Sequence, residues 1–367
     1  MSWPKTYGSI YGFYQFTKPI LTINEPELAK EIIVKNFSSF INREKNSFDH
    51  EYFNSNLFSS NDEVWRRVRS ITSPSFTSGK LKLMHGIMEQ CVKKLERYLK
   101  KDIAANGGVI NLKESITGFT IDVIAQTSFG AETSADDETE VQETAFANTS
   151  TKKTLQTNEI IAQCIIFFLA GFETTATTTS MVAYFLALNP HVQDRLHSEL
   201  TSELDGLDPT SEEYFNKVTT KLPYLDAVIK ETLRRNPPLP RLKRHCNVDD
   251  YKLGDTGIHI ERDSEVHIGI YSIQHNPKYF PDPETFNPDR FMPENKHLLV
   301  PYSWLPFGAG PRNCIGMRFA YQEIKLCLAT IVRKFRFERA PSTPVPIFFN
   351  TFELLTTPNI ELKISVR

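Results

Sequence analysis

Cys314 stands in the stretch FGAGPRNCIG (Phe307–Gly316), with Arg312 two residues before it and Gly316 two after. A thiolate is a nucleophile or a metal ligand. An arginine carries a permanent charge in a planar fork that clamps anions. Gly308, Gly310 and Gly316 let the backbone adopt positive φ or come close to another body. A helix following Cys314 would aim its free N–H groups and dipole at the sulfur, which favours the thiolate. A lone cysteine in a glycine turn is more often a buried structural residue. The full set instead asks for a flat ligand with an open axial position and anionic substituents. A haem meets each of those demands.

A second stretch, AGFETT (Ala170–Thr175), lies inside the most apolar part of the chain. Gly171 leaves room where a small ligand could sit, and Glu173 and Thr174 set an acid beside an alcohol. A mid-helix threonine bonds back to a carbonyl one turn earlier and bends the helix. A buried acid is costly without a partner or a task. Read alone, the stretch is more often a polar kink in a core helix. Glu231 and Arg234 in ETLR lie three apart on one helical face, a pair worth little when exposed. The basic clusters WRRVR (Trp65–Arg69) and RLKRH (Arg241–His245) ordinarily mark solvated faces.

The elements that must position these residues are mostly helical. Apolar periodicity predicts helices around Trp65, over 80–104, over 112–128 and over roughly Asn158–Leu188, the last about 45 Å long at ~1.5 Å per residue. NPHVQDRLHSEL opens another helix, and LPYLDAVIKETLRRNPP is an amphipathic helix stopped by Pro237 and Pro238. A last helix follows over Ile315–Val332. SIYGFYQF and PILTINEP read as an early hairpin, 247–275 as short alternating strands, and IELKISVR as a strand. The acidic run Glu132–Thr144 reads as an exposed loop. Glu173 and a run of threonines inside Ile160–Leu188 argue for a buried helix rather than a membrane span.

Composition sets outer limits. The 367 residues are 40% hydrophobic and 23% charged, with a net charge of −2, so globular core material is ample and no nucleic-acid signal is present. Five dispersed cysteines without a CxxC speak against a disulfide framework or a zinc site and for a reduced, intracellular or cytosol-facing chain.

The residues Phe307, Gly310, Arg312, Cys314 and Gly316 match F-x-x-G-x-R-x-C-x-G, and the chain resembles the cytochromes P-450, the haem-thiolate monooxygenases, over nearly its whole length. SPSFTSGKLK, DVIAQTSFG and HNPKYFPDPETFNPDRF look closest to the microsomal clan that includes the liver's drug-oxidising enzymes. The resemblance implies a mainly α fold with small β-sheets (α+β) and one haem-binding domain over 1–367. It implies haem b with Cys314 as axial ligand, and Phe307, Arg312 and Gly316 in the cofactor loop. Trp65, Arg69 and Arg244 would contact the propionates; Arg43 is a weaker candidate because Glu44 follows it. Glu173 and Thr174 would relay protons to dioxygen, with glutamate where many members have aspartate. Glu231, Arg234 and Arg290 of FNPDRF would form a buried network that locks the irregular coil near the haem loop.

The implied partners are an NADPH-dependent flavoprotein reductase, docking near Arg66 and Arg67, together with dioxygen and a small apolar organic substrate. Phe167, Phe168, Leu239 and Phe349 would line the substrate side. The implied setting is the cytosolic face of the endoplasmic reticulum and xenobiotic or lipid metabolism. Two departures accompany the resemblance. The opening MSWPKTYGSIYGFYQF lacks a charged region followed by an apolar one, so a chain without the microsomal anchor is expected, and only about forty residues separate Gly130 from Ala170, where the family carries several helices. The expected fold is therefore incomplete, with a join near Ser150 and no roof over the pocket. The long helix would then expose apolar residues among Ile165, Phe167, Phe168 and Met181. The rival reading is a haem-binding protein without turnover; a haem-thiolate peroxide isomerase is disfavoured because that chemistry needs no proton relay.

Overall fold

Apolar stripes at helical spacing organise the chain. In His85–Ala105, Met88, Val92, Leu95 and Leu99 recur three and four apart and all are buried, the pattern of a helix packing one face. Stripes from this helix and from Leu112–Phe129, Thr157–Leu188, Pro190–Leu204, Pro223–Arg235 and Met317–Lys334 meet in one large apolar core. The computed structural model describes residues 6–43, 51–130, 154–350 and 353–367. The acidic run Glu132–Thr144 and the join near Ser150 lie outside the described residues.

The helix ends follow local chemistry. Leu112–Phe129 stops at Gly130, whose φ of 63° is left-handed, a conformation glycine adopts at no steric cost. Pro223–Arg235 starts on a proline at its first position. The helix Glu212–Thr220, absent from the periodicity reading, is capped by the Ser211 side chain, which accepts from the Tyr214 N–H at 3.1 Å. Thr157–Leu188 opens with a capping box between Gln156 and Glu159.

That 32-residue helix is the one element among the described residues long and apolar enough to cross a bilayer. Thr175–Ala187 is buried throughout, whereas the turns from Cys164 to Thr174 are only partly covered. Met181, expected on an exposed flank, is buried in the main core, because it lies in the half enclosed by the other helices. The exposed apolar side chains are Ile160, Ile161 and Leu169, with Ile165, Phe167 and Phe168 half-buried.

The sheets are small. β1 (Ile10–Gln15) and β2 (Lys18–Ile23) form an antiparallel hairpin; β2 runs parallel to β7 (Glu265–Ile268), which pairs antiparallel with β4 (Leu242–His245). β5 (Asp250–Leu253) pairs with β6 (Ile258–Glu261). β3 (Val109–Asn111), β9 (Glu361–Val366) and β8 (Phe335–Arg339) form a third sheet, of which only β9 is legible as an alternating terminal run. The alternation after β7 does not continue as a strand. Ile270–Gln274 is a short helix that buries Ile270 and Ile273.

Glu323, on Met317–Lys334, is 0% exposed, and neither carboxyl oxygen has a hydrogen-bond partner among the described residues. Burial pushes its pKa well above the ordinary carboxylate range. A group neutral in the fold but ionised in the unfolded chain makes the native state lose stability as pH rises through and above the ordinary range. Glu323→Leu is therefore expected to stabilise the protein and to flatten that loss by up to about 1.4 kcal/mol per pH unit. Denaturant unfolding between about pH 6 and pH 8 measures it; an unchanged slope would count against an ionisable orphan.

Candidate functional site

The cysteine loop is built by its own backbone. The Cys314 N–H donates to the Phe307 carbonyl at 2.9 Å and Asn313 N–H to Gly310 at 3.1 Å. Gly308 and Gly310 have φ of 67° and 72°. A Cβ on Gly310 would lie 1.9 Å from the Ile33 carbonyl oxygen, so this glycine answers to a passing protein segment and not to a flat ligand. Phe307 packs tilted on Tyr321 with ring centroids 5.4 Å apart. Gly316 caps the helix Met317–Lys334, and its N–H faces the Cys314 sulfur.

Cys314 is the exposed one of the five cysteines, all of them free; Cys91, Cys246 and Cys327 are buried and Cys164 is half-buried. Surrounding protein nevertheless raises its pKa by desolvation, opposed by the Gly316 N–H, Arg69 and Arg43. Cys314 is thus exposed as a residue while protein groups crowd its sulfur.

Four guanidinium groups gather around this loop, Arg69 and Arg43 beside the sulfur and Arg244 and Arg312 beside Arg43. Arg69 forks onto Asn313, donating to its carbonyl and its Oδ1 at 2.9 Å each. Arg43 donates to the Arg312 carbonyl at 3.4 Å and lies 4.3 Å from the Phe58 ring centre. Arg312 is buried, donates to the Ser60 carbonyl and lies over the Trp65 ring at 4.8 Å. Arg244 is buried and donates to the Lys243 carbonyl at 2.7 Å.

Desolvation lowers Arg43 to about 10 and lowers Arg312 to about 8, the neighbouring guanidiniums adding to the shift of Arg312 and Asp62 opposing it. Arg244 is lowered well below its ordinary value by burial and then by Arg43 and Arg312. Arginine keeps its proton at neutral pH, so these shifts express a cation cluster short of anions. Arg244 Nε and Arg312 Nε and Nη1 are buried with no hydrogen-bond partner among the described residues. Buried donors left unpaired are costly, and this set has the shape and charge of a site for carboxylates.

Glu173 and Thr174 are adjacent on the long helix, but their side chains bond elsewhere. Thr174 Oγ1 donates to the Ala170 carbonyl at 2.7 Å. Glu173 Oε1 accepts from Lys113 Nζ at 3.0 Å and from Thr177 Oγ1 at 3.1 Å, and Lys113 also donates to Thr177 at 2.9 Å. Lys113 is buried, and desolvation lowers its pKa against the pull of Glu173. A cleft of about 390 Å³, lined by polar residues that include Asn111, Lys113, Thr117 and Thr357, opens onto Glu173. A Cβ on Gly171 would sit 2.6 Å from Ile124 Cδ1. Its small size therefore serves packing against Leu112–Phe129, not space for a ligand.

Glu231, Arg234 and Arg290 come together below the coil. Glu231 and Arg234 are both 0% exposed. Arg234 Nε and Nη2 donate to the two Glu231 oxygens at 2.7 and 2.8 Å. Its remaining donors reach the Gln274 and Pro283 carbonyls at 2.9 and 2.8 Å. Glu231 Oε1 also accepts from Asn287 N–H at 2.9 Å, with Arg290 Nε at 3.6 Å. Arg66 and Arg67, expected to face a partner, are paired within the chain: Arg66 with Glu63 at 3.3 Å and Arg67 with Glu159.

Lys113 escaped the sequence reading, since a single lysine near a helix start carries no signal beyond a solvated face. Arg43 was discounted for its acidic neighbour; its side chain turns instead toward Phe58 and Arg312.

The family model described as Cytochrome P450 matches the chain over residues 2–151 and 141–366. Cytochrome P450 6k1 of Blattella germanica is 32% identical, the match covering 96% of this chain and 83% of that protein. Cytochrome P450 3A41 of Mus musculus is 32% identical over 93% of this chain and 81% of its own length. Cytochrome P450 3A2 of Rattus norvegicus is 33% identical over 94% and 82%. The alignment with the Blattella protein runs over 445 positions against 367 residues here, so that relative carries segments with no counterpart in this chain.

Proposed function

This chain belongs to the cytochrome P450 family and is a haem monooxygenase, and on that premise we propose which of its residues do the work. Cys314 would hold the iron of a haem b, and Arg43, Arg69, Arg244 and Arg312, the last over the Trp65 ring, would hold its propionates. The observation that carries this assignment is the set of orphaned, buried guanidinium donors of Arg244 and Arg312 near an exposed thiol. Two propionates supply the acceptors those donors lack, so the residues present fit the group. Phe307 and Gly316 shape the loop, one through its packing on Tyr321 and the other as the helix cap.

The bound haem supplies activation of dioxygen and insertion of one oxygen atom into the substrate. The chain's own residues bind, orient and deliver protons. Thr174 presents its hydroxyl from the partly covered turns of the long helix, and Glu173 gathers protons from the polar cleft beside Lys113. The half-buried apolar side chains Phe167, Phe168, Leu239 and Phe349 suit a small apolar organic substrate. A separate NADPH-dependent flavoprotein reductase supplies electrons at the cytosolic face of the endoplasmic reticulum. This reading rests on the microsomal relatives and not on Arg66 and Arg67, whose charges are already paired. Shortening of the pocket roof between Gly130 and Thr157 is supported by the two-part family match and by the exposed Ile160, Ile161 and Leu169. The turnover-free alternative finds no support in the relatives.

Thr174→Ala tests the proton role. Its hydroxyl bonds only back to Ala170 among its donor contacts, so the fold and haem content are expected to hold. Reducing equivalents should be diverted into hydrogen peroxide, with product formed per NADPH falling by about tenfold or more. Unchanged coupling in that variant would remove Thr174 from the path.

A further inference from the structure

His245 stands where two of the four arginines meet. It ends β4, directly after Arg244. Its backbone N–H donates to the Asn42 carbonyl at 3.0 Å, an isolated antiparallel bridge that ties in the segment carrying Arg43. Successive side chains of a strand point to opposite faces, so the His245 ring lies across the sheet from Arg244. The register sets His245 opposite Glu265 on β7, and Lys243 opposite His267. Directly opposed residues share a face, so two histidines, one acid and one lysine gather there. Glu265 and His267 are buried, and His267 Nε2 donates to Glu265 Oε1 at 2.6 Å. Glu265 Oε2 lies 4.0 Å from His245 Nε2. That nitrogen is buried and has no hydrogen-bond partner among the described residues. Desolvation raises the Glu265 pKa, but His267, His245 and Lys243 outweigh it and hold the carboxyl below its ordinary value. Lys243 is itself paired with Glu353 at 2.8 Å, and Arg241 lies 3.7 Å from the same oxygen. From β2 and β1 the cluster meets Ile20, Thr22 and Phe13, and the Asn42 side chain donates to Asp62 at 2.8 Å.

We propose that His245 is a pH-responsive positioning residue for the haem grip. Protonated, it closes onto Glu265 and fixes β4 against β7, which holds Arg244 and, through Asn42, Arg43 in place for the propionates. Neutral, it leaves a buried nitrogen unpaired and the joint loose. The inference rests on the assignment of Arg43 and Arg244 to the propionates. Histidine changes charge between about pH 5 and pH 8, and a charge-assisted bond is roughly twice as strong as a neutral one. The sign follows from which form is paired. A contact made by the protonated imidazole is present at low pH and lost as pH rises through the histidine range. Haem is therefore held more tightly near pH 6 than near pH 8 on account of this cluster.

The test is the rate of haem transfer from the full-length holoprotein to excess apomyoglobin, at about pH 6 and about pH 8. The ratio of the two rates, high pH over low, is expected to be about tenfold larger in the parent than in His245→Gln, one unit of pKa coupling being a factor of ten. His245→Gln should lose haem fast at both values. His245→Lys, a permanent cation opposite Glu265, should lose it slowly at both, and Glu265→Gln should erase the pH response of the parent. Equal ratios in parent and His245→Gln would overturn the proposal. So would a His245→Lys chain that loses haem as fast as His245→Gln, since the ring would then serve by its shape and not its charge. Arg244→Gln separates the two levels. Faster haem loss from it at both values upholds the propionate assignment whatever His245 does, whereas an unchanged rate overturns that assignment and this inference with it.

Discussion

Cys314→Ala is expected to abolish the red-shifted Soret band that thiolate-ligated haem gives on reduction under carbon monoxide. The expectation is all-or-none because none of the other four cysteines is placed to substitute. Cys91, Cys246 and Cys327 are enclosed in the cores, and Cys164 is half-buried on the long helix. Only the Cys314 sulfur sits below the arginine cluster, with a helix N-terminus and the Gly316 N–H directed at it. The Cys314 side chain is exposed, so losing it opens no core cavity and the fold should survive the change. Thermal unfolding of the variant beside its absorbance spectrum separates loss of ligation from loss of structure. A Cys314→Ala protein that kept the band, with Cys164→Ala or Cys327→Ala losing it, would move the ligand elsewhere.

The second large effect lies far from the chemistry. Glu231→Ala strips two charge-assisted bonds from Arg234, a guanidinium with no solvent exposure, and frees the Asn287 N–H that pins the coil. Leaving one member of a buried pair unmatched costs about 3–5 kcal/mol, against a total stability of roughly 5–15 kcal/mol for a folded protein. The variant is expected to unfold well below the parent temperature or to fail to accumulate with haem bound. The matched control is Arg195→Ala, which breaks an exposed pair with Asp289 and should change stability by less than about 1 kcal/mol. An effect of Glu231→Ala no larger than that control would show that the coil is held by its aromatic packing instead.

Legibility in the sequence differed by element for physical reasons. The long helix and the cysteine loop announced themselves because periodicity and a fixed spacing are local properties of the chain. The pairing of β8 with β9 and β3 did not, since each strand is short and its partner distant. Residue roles diverged in the same way. Gly310 was legible as a point of close approach and Gly171 as room for a small ligand, but the fold fills both places with protein, Ile33 and Ile124. Glu173 was legible as an acid in need of a partner, while the partner, Lys113, lies 60 positions away. The charges of Arg66 and Arg67 read as a surface; Arg66 pairs locally with Glu63 on its own helix, while Arg67 is taken up by Glu159, 92 positions away.

The arginine cluster has a consequence for the life of the chain before it works. Like charges gathered in a desolvated place weaken the empty fold, and an anionic cofactor that binds only the native state restores it by mass action. On the proposed assignment, haem would be a folding ligand as well as a reagent. A chain synthesised faster than cofactor arrives would dwell in openable states that proteases and chaperones sample, and a shift of one or two kcal/mol is enough to change abundance several-fold. The amount of this protein in a cell would in that way report the local supply of haem, without any dedicated sensor.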